Sequence, residues 1–248
     1  MREIERAVCG CDYGGTSWTT RDEACRVAEI LELKPGMRFL DVGAGAGWPG
    51  LYLARISGCD VALVDVPLEG MRIAAARAPM EQLAGACWTV AADGAALPLK
   101  DAAFDAIGHS DLLCCLEAKA EVLKECRRVV RSGGKMAFTV VSIAPALSPE
   151  DYRRAVQAGP LFKETAVPYP AMLEQTGWSI TDDFDLTPEY AQAARRMLRE
   201  EQAHASALAR ILGAAQVSDT LARRRRTLGA LNRGLLRREL IVAKPATH

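Results

Sequence analysis

A glycine-rich loop, DVGAGAGWPG at residues 41–50, is the stretch of this 248-residue sequence whose residue types and spacing most directly indicate chemistry. Counted from Gly45, the spacing Gly45-x-Gly47-x-x-Gly50 matches loops that cradle the pyrophosphate of a dinucleotide. Counted from Asp41, an acid precedes alternating glycines, and a carboxylate there could bind a cationic amino group but would repel a pyrophosphate. In both interpretations small residues let the backbone approach a ligand at a helix start, so the glycines alone leave both open.

Two further carboxylates follow the next two predicted strands. Asp65 ends the run CDVALVD, where a carboxylate can bind both hydroxyls of a ribose in either interpretation. Asp93 ends the run ACWTVAAD and begins DGAALP, and an Asp-Gly at that strand end fits recognition of an adenine edge. Together with Asp41, this segment favours the second interpretation of the loop.

These loops need a scaffold, and strand and helix signals alternate from about residue 20 to residue 142. Short apolar runs predict buried parallel strands, and the segments between them have apolar residues at helical spacing. This regular alternation of short strands and helices predicts right-handed crossovers and a doubly wound, mostly parallel α/β sheet. After Ser142 we expect a proline-rich segment, a sixth strand, a long helix from Pro188, a second helix from Val217 to about Arg233, and a last strand, ELIVAKP.

Composition and charge exclude several classes of protein. Lysine plus arginine and aspartate plus glutamate both number 31, and this zero net charge argues against a nucleic-acid or anionic-membrane partner. The charged N-terminus has no signal-peptide core, and no apolar run approaches the ~18 residues that span a bilayer. Because the cysteines and histidines lack metal-ligand spacing, we expect no metal site, reduced thiols and a cytoplasmic protein.

Five segments, FLDVGAGAG, ALVDVP, AADGAALP, FDAIGHSDLL and VVRSGGKMAF, fall in the order and spacing of the class I S-adenosylmethionine-dependent methyltransferases. The chain resembles that family over roughly residues 20–145, and most closely the branch that methylates small molecules. The resemblance implies a seven-stranded, Rossmann-like sheet, S-adenosyl-L-methionine as cofactor, and in-line methyl transfer to a small-molecule acceptor. The chain departs from the family in having Ser132 before the Gly-Gly, where proline is usual, and Cys114-Cys115 where many relatives have a histidine.

The resemblance also assigns residues to the cofactor, from its amino-acid end to its adenine. They are Asp41, Gly43, Ala44, Gly45, Asp65, Val66, Met71, Asp93 and Gly94. Asp41 would orient the loop and the amino group, Asp65 would bind the ribose, and Asp93 with Gly94 would fix the adenine edge. His109, just past the fourth strand, would lie near the reactive sulfonium.

His109 is also the leading candidate for a catalytic base. Methyl transfer needs a base only where the acceptor must lose a proton, and the ordinary pKa of histidine is about 6.5. The alternative is that His109 only packs against, or hydrogen-bonds, the cofactor. Asp111 is a weaker candidate, expected instead to cap the following helix. The segment HSDLL lacks the Pro-Pro-aromatic stretch of relatives that methylate exocyclic base amines, which again argues against nucleic acid.

The acceptor site should come from segments outside the sheet of this single domain. They are the N-terminal arm (1–20) and two lid or cap segments (143–172 and 188–236) around the cofactor-binding core (20–145). The candidate acceptor-binding side chains are aromatic residues of the arm and lid: Tyr13, Trp18, Tyr152 and Tyr169. Each of them could instead be plain core or lid packing.

Other functions stay open. A non-catalytic S-adenosylmethionine-binding module would keep every motif, and a nicotinamide-dependent (NAD(P)) oxidoreductase would keep the glycine loop but leave Asp41 and DGAALP unexplained. The long amphipathic helices could form a homodimer as easily as a lid. The arginine run at 223–226 predicts a solvated helix face.

Overall fold

The computed structural model describes residues 2–13 and 17–247, which include a seven-stranded sheet. Its strands are β1 (Arg38–Val42), β2 (Asp60–Asp65), β3 (Cys87–Ala91), β4 (Phe104–Ser110), β5 (Val130–Ile143), β6 (Trp178–Asp185) and β7 (Leu236–Pro245). Their spatial order is β3-β2-β1-β4-β5-β7-β6, with β1 to β5 parallel and β7 antiparallel to both of its neighbours. The predicted seven-stranded, mostly parallel, Rossmann-like sheet is confirmed.

Helices cover both faces of this sheet. They are α1 (Arg2–Cys9), α2 (Arg21–Ile30), α3 (Gly50–Ser57), α4 (Leu68–Arg77), α5 (Lys119–Val129), α6 (Pro149–Val156), α7 (Tyr169–Gln175), α8 (Thr187–Ala203), α9 (Ala205–Leu212) and α10 (Ala214–Asn232). Two apolar clusters result, one chiefly under α5 and α7 and the other chiefly under α1 to α4 and α8. Burial on both faces is what the near-continuous apolar runs of the central strands require.

The winding of the chain reverses between β1 and β4, which lie side by side. Asp41 of β1 pairs with Gly108 of β4, so His109 follows directly beside the glycine loop. In doubly wound sheets the crevice at the carboxyl ends of such strands is where ligands bind. The topology therefore brings the predicted loop, Asp65 and His109 to one edge.

The cap between β6 and β7 differs from the sequence prediction in its helix count. Three helices, α8 to α10, stand where two were expected, because the chain breaks at His204 and again at Gly213. Gly213 has a φ of +89°, a backbone region that glycine favours. The last cap helix also starts at Ala214 rather than at Val217.

The N-terminal arm contains α1, which packs on α8, so the arm and the cap meet. The glycine-rich part of the arm, residues 14–16, lies outside the described residues. Within the described ranges, none of the helices combines the length and the apolar character needed to cross a bilayer.

Candidate active site

The glycine loop leaves β1 with its backbone in left-handed conformations. The φ values of Gly43, Gly45 and Gly47 are +76°, +52° and +99°, which side chains rarely adopt. A Cβ on Gly45 would meet nothing within 4 Å, whereas one on Gly43 would lie 2.8 Å from Leu112 Cδ1. The loop thus has an open side at Gly45 and a close approach to the β4 end at Gly43.

Asp41 lies behind the loop rather than on its open side. Its side chain is 2% exposed, and its Oδ2 accepts a hydrogen bond from Gly50 N at 3.0 Å. A Cβ on Gly50 would lie only 2.5 Å from that oxygen, so the third glycine of the dinucleotide spacing is explained by room for Asp41. Burial raises the pKa of Asp41 to about 8. This geometry matches the loop-orienting role, and contact with an amino group stays a prediction.

Asp65 joins the loop to the end of β2. Its two carboxylate oxygens accept hydrogen bonds from Gly45 N and from Val66 N, each at 2.8 Å. Beside it, Val66 is 64% exposed, while the nearby Met71 is buried. The structure therefore brings Gly45 and Asp65 together as predicted and leaves an apolar side chain open next to them.

Asp93 and Gly94 follow β3 on the same edge. Asp93 Oδ1 accepts a hydrogen bond from Ala95 N at 2.9 Å, which closes a tight turn. A Cβ on Gly94 would approach Val42 Cγ1 to 3.0 Å, so this turn lies against the end of β1. Asp93 is exposed, and Gly94 is half-buried where the turn adjoins Val42.

His109 is buried at the end of β4, 2% exposed, and stacks on Phe138 with ring centroids 4.5 Å apart. Neither of its ring nitrogens has a hydrogen-bond partner among the described residues. Burial lowers the pKa of His109 to about 3, so the imidazole is neutral near pH 7. A base of such a low pKa is poorly matched to neutral pH, and the geometry favours the packing alternative.

The expected helix cap at Asp111 is wrong. Asp111 instead forms a bidentate ion pair with Arg238 of β7, through Nε–Oδ1 and Nη2–Oδ2 bonds of 3.0 Å each. Arg238 is fully buried and also bonds Glu23 of α2, at 2.9 Å and 3.0 Å. A fully desolvated guanidinium must be paired, and this pairing outweighs a local cap.

Sequence reasoning missed this buried network. Burial alone would lower the pKa of Arg238, but Asp111 and Glu23 more than offset it and hold that pKa above its ordinary value. Burial raises the pKa of Glu23. The one local signal is the Thr20-x-x-Glu23 capping box at the start of α2, which is present in the structure. Nothing in the sequence near Arg238 indicates its partners.

The two aromatic side chains of the arm are packed. Tyr13 is buried against Trp48, with ring centroids 5.2 Å apart. Trp18 meets Tyr190 edge-on at 5.1 Å and carries the Arg224 guanidinium over its face at 4.7 Å. These contacts match the packing alternative, and Arg224 is an exception to the predicted solvated face.

Tyr152 and Tyr169 both line one cavity beneath the predicted lid segment, which we call the lid cavity. It has a volume of about 560 Å³ and is bounded by residues 142–147, by parts of 152–170, and by Asp183, Arg237, Glu239 and Ile241. Tyr169 lies near Phe138, with ring centroids 6.4 Å apart, so the lid cavity adjoins the His109–Phe138 stack. A cavity of this size can hold a small molecule.

Comparison with known proteins identifies the family to which the chain is similar. A family model for a methyltransferase domain matches residues 40–138. Methyltransferase GfsG of Streptomyces halstedii is 29% identical over 167 residues, covering 65% of this chain and 59% of that protein. The 27-O-demethylrifamycin SV methyltransferase of Amycolatopsis mediterranei is 30% identical over 186 residues, covering 71% of this chain and 68% of the relative.

A solved structure shows the same fold. Phosphoethanolamine N-methyltransferase 2 of Haemonchus contortus, in complex with S-adenosylhomocysteine, has a TM-score of 0.81 at 14% identity, covering 99% of this chain and 57% of that one. The chain spans less than two thirds of GfsG, so these relatives establish its family rather than its acceptor. On the likeness to the rifamycin-modifying relative across two thirds of both proteins, this chain belongs to the class I S-adenosylmethionine-dependent methyltransferases, whose cofactor is S-adenosyl-L-methionine.

Proposed function

We propose that this chain binds S-adenosylmethionine across the loop between β1 and α3 and transfers its methyl group to a small-molecule acceptor. The observation that carries the proposal is the Asp65 carboxylate. Each of its oxygens accepts one backbone hydrogen bond, from Gly45 or Val66, and keeps a further lone pair for a ribose hydroxyl.

The surroundings of Asp65 fit the adenosine part of the cofactor. Val66 and Leu68 are 64% and 53% exposed, and a flat adenine packed there would remove apolar surface from water. Gly45 has open space where a Cβ would be, so a ligand can contact the loop backbone. Asp93 and Gly94 stand at the next strand end, where we assign them the adenine edge.

The bound cofactor supplies a methyl group on a positively charged sulfur. The residues of this chain then have to align the acceptor and exclude water. We assign His109 the role of a neutral group at the β4 end, because burial holds its pKa near 3. Its ring offers one donor and one acceptor without partners in the described residues.

We place the acceptor in the lid cavity, which Tyr152 and Tyr169 line. Tyr13 and Trp18 hold the arm against Trp48 of the glycine loop and against the cap rather than touching the acceptor. A cytoplasmic location and a homodimer remain our predictions, the second to be decided by light scattering on the purified protein.

The first test is calorimetric titration with S-adenosylmethionine, S-adenosylhomocysteine and NAD in parallel. We expect micromolar binding of the first two and none of NAD. Tight NAD binding would contradict the proposal. Binding of S-adenosylmethionine without turnover of any acceptor tried would favour the non-catalytic alternative.

The second test removes the ribose ligand. Asp65→Ala should weaken S-adenosylmethionine binding by ~1.5–3 kcal/mol, because charge-assisted hydrogen bonds are lost. Asp60→Ala is the matched control, since Asp60 begins the same strand and accepts a backbone hydrogen bond from Ala86 N at the opposite edge. Equal affinity of the Asp65 variant and the control would mean that the ribose lies elsewhere.

A further inference from the structure

The lid cavity is lined by more acidic than basic side chains. Glu164, Asp183 and Glu239 face it, against Lys163 and Arg237. Lys163 is buried and donates its ammonium hydrogens to two backbone carbonyls, Val156 O at 2.6 Å and Pro160 O at 2.9 Å. The lid backbone therefore positions this ammonium, which has no carboxylate oxygen within 4 Å among the described residues and on which Glu164 acts from farther away.

Glu239 and Asp183 lack a close cation. Among the described residues, neither carboxylate has a lysine or arginine nitrogen within 4 Å, and Arg237 acts on both from farther away. Glu239 accepts one hydrogen bond, from Ser142 Oγ at 3.1 Å. Burial is the main cause that raises the pKa of each of these two carboxyl groups. Both would gain from a cation brought by a ligand.

Tyr169 gives an independent indication that the cavity binds a polar group. It lines the same cavity, is 5% exposed, and its hydroxyl has no hydrogen-bond partner in the part of the chain that the structure describes. A buried hydroxyl without a partner costs free energy, so such groups are normally satisfied. Glu239 lines the same cavity, so the carboxylate and the hydroxyl belong to one site.

We propose that the lid cavity recognises a protonated amine on an otherwise apolar small molecule, with Glu239 and Asp183 as counter-charges and the Tyr169 hydroxyl as a further hydrogen-bonding group. This inference rests on the proposed function, since it names the class of acceptor. The apolar body would contact Ile143, Leu147 and Ile241, which line the same space.

The ammonium is a recognition group and not the methylated atom. The cavity begins at Tyr169, two ring spacings from His109: 6.4 Å from Tyr169 to Phe138 and 4.5 Å from Phe138 to His109. We place the methyl group near His109, so the nucleophile is at the other end of the acceptor. Binding a remote group of the substrate is a general way to align the reacting one.

The test compares three probes with one apolar body: 4-phenylbutylamine, 4-phenylbutanol and 4-phenylbutyrate. Each is titrated into the full chain by calorimetry, with S-adenosylhomocysteine present and titrated separately. We expect the amine to bind at least tenfold more tightly than the alcohol, and the carboxylate to bind most weakly. Equal affinities, a preference for the alcohol, or no binding of the amine would overturn the proposal.

Variants locate the site. Glu239→Gln should weaken the amine at least tenfold and leave the alcohol unchanged, and Asp183→Asn serves if that variant does not fold. Asp182→Asn, on the same strand but outside the cavity lining, is the matched control and should change neither probe. Tyr169→Phe should weaken both probes severalfold, whereas a purely structural hydroxyl would leave both affinities unchanged.

The two proposals can fail separately. If S-adenosylhomocysteine binds and the amine does not, the amine site is wrong and the methyltransferase proposal stands. If the amine binds and S-adenosylhomocysteine does not, the cofactor assignment fails instead.

Discussion

The carboxylates on the cofactor side of the sheet edge and those of the buried network around Arg238 are held in opposite ways. On the cofactor side, Asp41, Asp65 and Asp93 accept hydrogen bonds from backbone N–H groups within 20 residues of themselves. In the buried network, Asp111 and Glu23 both pair with Arg238, which is 127 and 215 residues away in sequence. The first arrangement is local and needs only acceptor oxygens, whereas the second is assembled by the whole fold and depends on charge.

Removing the guanidinium should have the largest effect. Arg238→Met would leave two buried carboxylates without a cation, and we expect a loss of about 3–5 kcal/mol in the free energy of unfolding. Urea denaturation measures it, with Arg237→Met, exposed on the same strand, as the control. A loss below about 1 kcal/mol would mean that the charges are relieved by water or by protonation.

Two glycines of the loop separate stability from binding. Gly50→Ala forces a methyl group against Asp41 and Leu63, each 2.5 Å away, and should cost about 3 kcal/mol of unfolding free energy. Gly45→Ala should cost only about 1 kcal/mol, from its left-handed backbone, yet weaken S-adenosylmethionine binding because its Cβ enters the open side. If instead Gly50→Ala mainly weakened binding and Gly45→Ala mainly lowered the free energy of unfolding, Gly50 would lie on the ligand side of the loop and the contrast would be wrong.

His109, near the end of β4, makes the free energy of unfolding depend on pH. Its pKa is about 3 when folded and about 6.5 when unfolded, so the unfolded chain takes up the proton first as pH falls. The stabilisation is therefore complete above pH 6.5 and is lost between pH 6.5 and pH 3. Between pH 7 and pH 5 the wild type should lose about 2 kcal/mol more than His109→Gln, as measured by urea denaturation at both pH values. Asp41 and Glu23 titrate in both proteins, so their contributions cancel in the difference between wild type and variant. Equal losses in the two proteins would show that His109 is not buried in solution.

The smallest effect should come from Asp41→Asn. Its amide oxygen can still accept from Gly50 N, and the loop should keep its shape, with a change within about 1 kcal/mol near pH 4, where the Asp41 carboxyl is protonated in the folded chain. Because the folded pKa of Asp41 is raised to about 8, the wild type loses stability as pH rises from about 4 to 8, and the variant should lose less. A large loss at pH 7 would show that charge, not the acceptor oxygen, matters on this side too.

The same contrast explains what the sequence could reveal. The positions of the glycine loop, Asp65 and Asp93 at strand ends were predictable, because neighbouring residues in the sequence signal a strand end, a tight turn and a helix start. The cap helices were harder, since the break at His204 has no glycine or proline to mark it. Arg238, Glu239 and Tyr169 act through contacts between β7, β5, α2 and the lid, and no local spacing signals which of many surface-like residues will be buried together.

The Arg238 network has a consequence for exchanging parts between relatives. Glu23 lies near one end of the chain and Arg238 near the other, and each is the buried counter-ion of the other. A chimera that takes its first 30 residues from one parent and its last strand from another would inherit an unmatched charge unless both parents carry the pair. The segment that contains Glu23 and the final strand must therefore be exchanged together, although almost the whole chain separates them.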